Sequence, residues 1–500
     1  MKLDEILLNP LLDDQNLNRL AFCIKGKQYS YSVFYDYIEQ VYEQVKGIPD
    51  DLVGLYTFDD IRTYASIMAL WYSGKAYVPL NPMQPIERHK EIMESIGSCY
   101  TLTCVDDYDM GIGEQMNYIK TSSFTHEWYK KQDNLRMGNY PSDAIAYILF
   151  TSGSTGKPKG VPITRRNVAA FIESMEETGI KITADDRCLQ PFDLTFDMSV
   201  SSYVIPLYHR ASIFTIPQKV TKYIYISQLL EVYHLTVLQM VPSMIRNLLP
   251  YMDEVDLSSV RYNILAGEAL NISVIKRWHQ ENHEMVSYNM YGPTENTIYC
   301  TCYEINKSNI DKLLNINDVI SIGKTFINNE LMILDNNGNV VDQPNIEGEL
   351  CLAGAQLSPG YWKNETENAD KFFNYKGKRY YKSGDLCFFA EDGNIQYVGR
   401  TDFQLKLNGF RVELGEIESR YREVSGGRYS VVMPYMDELG GINLAIIIEG
   451  SEYDIHNHKS QLTNVLPSYE IPSKWLFVDT FPLNMNGKID RKQLKELFNL

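Results

Sequence analysis

Basic residues and cysteine are both scarce in this chain of 500 residues. Lysine and arginine number 47 against 64 aspartates and glutamates, a formal net charge of −17. Without a cationic excess to neutralise phosphates, non-specific nucleic-acid binding is excluded as a main role. Small phosphate compounds stay open, because such a site needs only a few local donors. The eight cysteines are scattered, the closest pair being Cys300 and Cys302. That spacing fits neither a disulfide framework nor a metal site, so reduced structural thiols are expected. No run approaches the ~20 apolar residues of a membrane-spanning helix, so no integral membrane segment is expected. The first fifteen residues carry acids within their apolar run and lack a small-residue cleavage site. No secretory signal is read there, and the cytoplasm is the expected compartment.

What is present is an ordinary globular composition, 44% apolar and 22% charged, in a chain long enough for two or more domains. Strand-like apolar runs at 52–56, 77–80, 144–150, 212–216, 236–240 and 262–266 alternate with amphipathic segments at 62–73, 167–177 and 226–233. This alternation predicts an α/β architecture with largely parallel sheets. After about residue 328 the pattern changes to shorter strands punctuated by turns such as Asn336-Asn337-Gly338 and Asp392-Gly393-Asn394, a smaller β-rich subdomain. The last hundred residues read as a compact α+β unit. It has a helix at 415–423, strands at 429–433 and 442–448, and a closing helix from Lys492. The expected division is an N-terminal α/β domain over 1–400 and a C-terminal α+β domain over 401–500.

The most informative stretch is Thr151-Ser152-Gly153-Ser154-Thr155-Gly156-Lys157-Pro158-Lys159-Gly160, which follows an apolar strand. Its glycines let backbone N–H groups approach an oxyanion, its hydroxyls add donors and its lysines add charge. This chemistry suits a polyphosphate, although a surface loop could share it. Pro158 stands where a Walker A loop requires Ser or Thr, so that motif is excluded. Asn289-Met290-Tyr291-Gly292-Pro293-Thr294-Glu295 supplies an aromatic face, a rigid turn, a hydroxyl and an acid able to hold Mg²⁺; a solvated turn is the other reading. Asp385 and Arg400 read singly as surface charges or as partners for hydroxyls and phosphate. Lys488, at the tip of Asn486-Gly487-Lys488, is a solvated lysine or an aimed cation.

In their order and spacing these segments resemble the adenylate-forming superfamily of acyl-CoA synthetases, luciferases and nonribosomal peptide adenylation domains. The resemblance implies a large N-terminal domain and a mobile C-terminal lid. It also implies ATP and Mg²⁺ as cofactors. The loop of Thr151, Ser152, Gly153, Ser154, Thr155, Gly156 and Lys159 would cover the β- and γ-phosphates. Arg165 stands where many members carry His. Gly267, Glu268 and Ala269 would line the adenine, with Asn289, Tyr291, Gly292 and Thr294 beside it and Glu295 on the metal. Asp385, in a motif where Ser383 replaces the commoner Thr, would take the ribose hydroxyls. Arg400 would reach ribose and phosphate, Asp402 would be the hinge, and Lys488 would bridge substrate carboxylate and α-phosphate. Gly409 would let a phosphopantetheine arm pass the backbone.

Asp197 implies an amino-acid substrate, since the matching Asp pairs with the α-ammonium in amino-acid-activating members; an N-cap for the next helix is the alternative. Met198, Ser201, Gln239, Ile264, Ala266, Met290, Ile298 and Tyr299 match the side-chain pocket and suggest a small or apolar neutral side chain. The pattern is most similar to free-standing D-alanine:D-alanyl carrier protein ligases, with Ala266 where those usually have Cys. The implied partners are a small amino acid and a separate phosphopantetheinyl carrier protein, since the chain ends nine residues after Arg491. Another small or apolar amino acid for a nonribosomal-type pathway is the first alternative, and an acyl- or aryl-CoA synthetase the second.

Overall fold

The structure, a computed structural model, describes residues 3, 5, 17–106, 111–112, 116–124, 140–152, 158–401, 404–407, 409–437, 441–450, 455–483 and 489–500. Continuous apolar runs become strands buried on both faces. Leu52–Tyr56 and Ala76–Leu80 have no exposed residue, as parallel strands between helical layers require. They pair in parallel within a six-stranded sheet that also holds Tyr100–Thr103, Asn117–Lys120 and Ile145–Thr151, with Lys159–Thr164 antiparallel at its edge. A nine-stranded sheet is parallel through Val286–Tyr291, Tyr262–Leu265, Val237–Met240, Arg187–Gln190, Ser212–Thr215 and Leu20–Ile24, and antiparallel at both edges. The mixed α/β class is as expected.

Helices start where the sequence offers caps. Asp60 accepts the Arg62 N–H at the head of Ile61–Tyr72, and Thr164 and Asn167 form a capping box for Arg165–Glu176. From residue 329 an antiparallel sheet is built on Asn329–Leu334, Gly348–Gly354 and the long strand Lys378–Phe389, to which Ile395–Arg400 is added. All eight cysteines are free thiols. Among the described residues no helix is long and apolar enough to cross a membrane.

The apolar core divides late in the chain. One cluster joins both large sheets and runs to Ile395. Another, around Leu407, Val412, Ile417, Tyr421, Ile446 and Leu462, belongs to the C-terminal residues. There the hairpin Gln404–Leu407/Phe410–Glu413 leads into the Leu414–Val424 helix, which packs on a three-stranded sheet.

The C-terminal part meets the larger one along a charged and aromatic seam. Arg88 donates to Glu416 at 3.2 Å, both side chains being buried, and Arg420 holds both oxygens of Glu91 at 2.7 Å. Phe410 stacks on Tyr469 at 4.0 Å and meets Phe196 edge-on at 4.6 Å. Beside them Glu470 is fully buried, and among the described residues neither carboxyl oxygen has a hydrogen-bond partner.

Candidate active site

The cleft lies at the carboxyl ends of the parallel strands Tyr262–Leu265 and Val286–Tyr291, the usual place for ligands in such sheets. It is completed by the first turn of the Asp197–His209 helix, the strands carrying Asp385 and Arg400, and the hairpin after residue 403. Gly292 allows the turn at its mouth, because a Cβ there would collide with the Ile298 carbonyl oxygen. Gly409 has φ +84° and sits against Val241, so its backbone reaches the cleft as a bulkier residue could not.

On the side of the antiparallel sheet, Asp385 and Arg400 are register partners. Arg400 Nη1 donates to Asp385 Oδ1 at 2.7 Å, its Nη2 to the Ser383 carbonyl at 3.2 Å, and the Tyr291 hydroxyl donates to Asp385 Oδ2. Next to them Glu295 is wholly buried. Arg411 Nη1 donates to its two oxygens at 2.9 and 2.8 Å, and the Tyr361 hydroxyl donates at 2.6 Å. Burial works to raise this carboxyl, but the Arg411 guanidinium and the Tyr361 hydroxyl outweigh it and hold it at about 2.

The opposite end is differently furnished. Asp197, partly buried at the head of its helix, accepts from the Thr294 hydroxyl at 2.8 Å. Among the described residues no lysine or arginine forms an ion pair with it, although Lys406 lies near enough to be felt. Burial raises its carboxyl, and the Thr294 bond and Lys406 offset only part of that. Lys406 projects between Asp385 and Asp197, its ammonium 5.9 Å from the centre of the Tyr291 ring. Burial lowers its pKa against the pull of both carboxylates. Met198, Ala266, Ile298 and Tyr299 form the apolar wall beyond Asp197.

The cleft thus carries the Asp385–Arg400 pair, the cations Lys406 and Arg411 on one hairpin, and a partly buried second acid, Asp197. The AMP-binding enzyme family matches residues 13–362. The chain belongs to that family. Among its relatives, zwittermicin A synthase ZmaJ of Bacillus cereus is 33% identical over 460 residues, 89% of this chain and 85% of that protein. Gramicidin S synthase 2 of Aneurinibacillus migulanus is 32% identical over 90% of this chain but only 10% of its own length. The chain thus spans about a tenth of the large synthases it matches. The adenylation domain AlmE of Vibrio cholerae, solved with glycyl-adenosine-5′-phosphate, is 25% identical with a TM-score of 0.86, covering 99% of this chain and 97% of that one. The architecture is that of an adenylation domain, and the chain is an enzyme of the AMP-forming ligase superfamily.

As a member of the AMP-binding family the chain brings Asp197, Met198, Ala266, Gly267, Tyr291, Gly292, Thr294, Ile298, Tyr299, Asp385, Arg400 and Gly409 together at one cleft. Glu295 stands behind this wall, on Arg411. Ser152 is buried and donates to the Arg411 carbonyl at 3.0 Å, while Thr151 and Lys159 sit on the strands flanking the loop, Lys159 paired with Glu367 at 2.9 Å. Gly153, Ser154, Thr155, Gly156, Asp402 and Lys488 lie outside the described residues.

Other expected positions face elsewhere. Strand register puts Asn289 beside Leu265, on the face opposite Ile264 and Met290, and its amide donates to the Ser321 carbonyl at 2.9 Å. The Glu268 carboxylate accepts from the Ser243 N–H and hydroxyl at 2.8 and 2.9 Å, at the head of the Pro242–Leu248 helix. Ala269 is exposed beyond the turn. Ser201, Gln239, Ile264 and Met290 are buried behind the cleft wall rather than at its surface. Arg165 is turned into the core, its Nη2 donating to the Trp71 carbonyl at 2.8 Å.

Gln404, Lys406 and Arg411 line the cleft and were not singled out from the sequence. The available signal was period two: Gln404 and Lys406 alternate with Leu405 and Leu407, and Arg411 is the cross-strand partner of Lys406. Two cations side by side on one hairpin imply facing carboxylates, here Asp385, Asp197 and Glu295.

Proposed function

We propose that this chain uses ATP to activate a small amino acid as its acyl-adenylate and passes it to the thiol of a separate phosphopantetheinyl carrier protein, in the cytoplasm. The observation that carries the reading is Asp197, a partly buried carboxylate with a hydroxyl donor but no ion pair among the described residues, opening onto a small apolar wall beside the Asp385–Arg400 pair. A carboxylate so placed is complementary to a substrate ammonium. Glycine and both enantiomers of alanine, D-alanine among them, are the candidates, and the relative solved with a glycyl adenylate supports a short side chain.

The chemistry asks an anionic carboxylate to attack an anionic α-phosphate, so aimed cations and donors should supply most of the rate enhancement. Asp385 and Tyr291 would hold the ribose and adenine, Arg400 and Lys406 would face the phosphate, Asp197 would fix the ammonium, and Lys488 would bridge the reacting groups. Glu295 is a single carboxylate, which matches Mg²⁺ held by one or two acids plus substrate phosphates, and in the arrangement seen it is engaged by Arg411 instead. When bound, that ion would neutralise phosphate charge. We take residues 1–400 as the adenylating domain and 401–500 as a lid turning at Asp402, with Gly409 leading the carrier thiol to the adenylate.

Pyrophosphate exchange with a panel of amino acids, both enantiomers included, tests the reading. Stimulation by small amino acids, and its loss by ~10²–10³-fold in Lys488→Ala with folding intact, is expected. Stimulation by fatty or aryl acids alone would overturn it.

A further inference from the structure

One residue of the C-terminal hairpin holds two groups that the proposed function gives to the polyphosphate. Arg411 Nη1 donates to both Glu295 oxygens, at 2.9 and 2.8 Å, and the Arg411 carbonyl accepts from the Ser152 hydroxyl at 3.0 Å. Ser152 begins the loop expected over the β- and γ-phosphates, and Glu295 is the acid expected on the metal. Both are buried.

The side-chain contact saturates the carboxylate. The Tyr361 hydroxyl adds a third donor at 2.6 Å and stands 3.3 Å from the Tyr381 hydroxyl. Mg²⁺ binds carboxylate oxygen at about 2.0–2.1 Å within an octahedral shell of oxygens. A guanidinium on both Glu295 oxygens offers only N–H groups, which donate and cannot ligate a metal. Either cation neutralises this acid, and each occupies the place of the other. The seam has further cross-links, Arg88 to Glu416 and Arg420 to Glu91, and none of those four residues lines the cleft. Of these three ion pairs, the one made by Arg411 falls on the acid expected to hold the metal.

We propose that Arg411 is the built-in counter-ion of Glu295, standing where the metal would, so that the docked hairpin and a metal-bound pyrophosphate exclude one another at this acid. The proposal rests on the reading of Glu295 as the metal-holding residue and adds the group that competes for it. A nucleoside monophosphate, with no β-phosphate, meets no such conflict, because the Asp385–Arg400 pair remains in the cleft with the hairpin docked.

Equilibrium dialysis of labelled pyrophosphate with Mg²⁺, and of AMP, reads the competition. Where the docked arrangement dominates, the apparent affinity is reduced by the small fraction of molecules competent to bind. Arg411→Ala should therefore bind Mg·pyrophosphate on the order of 10-fold more tightly, with AMP affinity unchanged within about twofold. Adding Glu295→Gln to that variant should weaken Mg·pyrophosphate again. A second measurement uses the wild-type chain and so does not depend on a variant folding. Hydrogen exchange of the strands Gln404–Leu407 and Phe410–Glu413 should quicken with Mg·pyrophosphate and stay unchanged with AMP or with pyrophosphate in EDTA. Unchanged or weaker Mg·pyrophosphate binding in Arg411→Ala, or hairpin exchange indifferent to Mg·pyrophosphate, overturns the competition. Equal quickening by metal-free pyrophosphate overturns the part given to the metal. If Glu295→Gln changes nothing in the Arg411→Ala background, the reading of Glu295 as the metal-holding acid falls instead, so the two failures are told apart.

Discussion

Glu295 and Asp197 are carboxylates of one cleft with opposite surroundings. Glu295 is wholly buried and receives Arg411 and Tyr361, which carry its carboxyl down to about 2 in spite of burial. Asp197 has the Thr294 hydroxyl and a more distant Lys406, and burial prevails, raising its carboxyl. The protein satisfies one acid from within its own chain and, among the described residues, gives the other no ion pair. The Glu295 end is internally neutralised; the Asp197 end carries an unmet electrostatic demand. The donor that neutralises Glu295 comes from the C-terminal hairpin, so the same contact that settles this acid also fastens the two parts of the molecule together.

The largest expected effect tests the satisfied end. Arg411→Ala leaves a buried charge unpaired and should cost about 3–5 kcal/mol, read as loosening of the C-terminal part in small-angle scattering and a lower unfolding midpoint. An unchanged midpoint and profile would mean that the ion pair holds nothing. Asp197→Asn should lower amino-acid-dependent pyrophosphate exchange on the order of 10²- to 10³-fold while making the ligand-free protein no less stable, since the acid has no ion pair among the described residues to lose. Destabilisation of the ligand-free protein would erase the contrast between the two ends.

The pH dependences should run in opposite directions. Glu295 has a folded value of about 2 against an ordinary 4.5, so its contribution is fully present above pH 4.5 and is lost as the pH falls through 2. The destabilising effect of Arg411→Ala should accordingly shrink on acidification across that window in thermal melts. Asp197, shifted up from 3.8, costs stability as pH rises above that value, so Asp197→Asn should gain most at neutral pH. Thr294→Val removes one hydrogen bond from Asp197 and should be the mildest change, about 1 kcal/mol or a roughly fivefold weaker response to the amino acid. A hundredfold loss would show that Thr294 does more than hold the carboxylate.

Much of this was legible in the sequence because it is local. The strand read at 52–56 is Leu52–Tyr56 as it stands, and the helix read at 62–73 begins one residue earlier, where Asp60 caps it. Asp385, Arg400 and Tyr291 fall together because each sits in a distinctive turn or strand end. What was not legible depends on pairing across hundreds of residues. Asn289 shares a strand face with Tyr291, but its amide is taken by the Ser321 carbonyl, 32 residues away in sequence. Glu268 follows the cleft residue Gly267, but the start of the Pro242–Leu248 helix claims its carboxylate. That Arg411 would meet Glu295 is a fact of how the C-terminal hairpin docks, 116 residues away in sequence.

The docked seam also has a proton requirement. Glu470 sits there without a hydrogen-bond donor among the described residues, beside Glu416, Glu413, Arg88 and Arg420, and burial together with the Glu416 charge pushes its carboxyl well above the ordinary 4.5, against the arginines. Folding this carboxyl into the seam therefore takes up a proton at any pH between the ordinary value and the raised one, and the folded chain loses stability as the pH rises through that window. The acidity of the medium thus bears on stability at a residue that does not line the cleft.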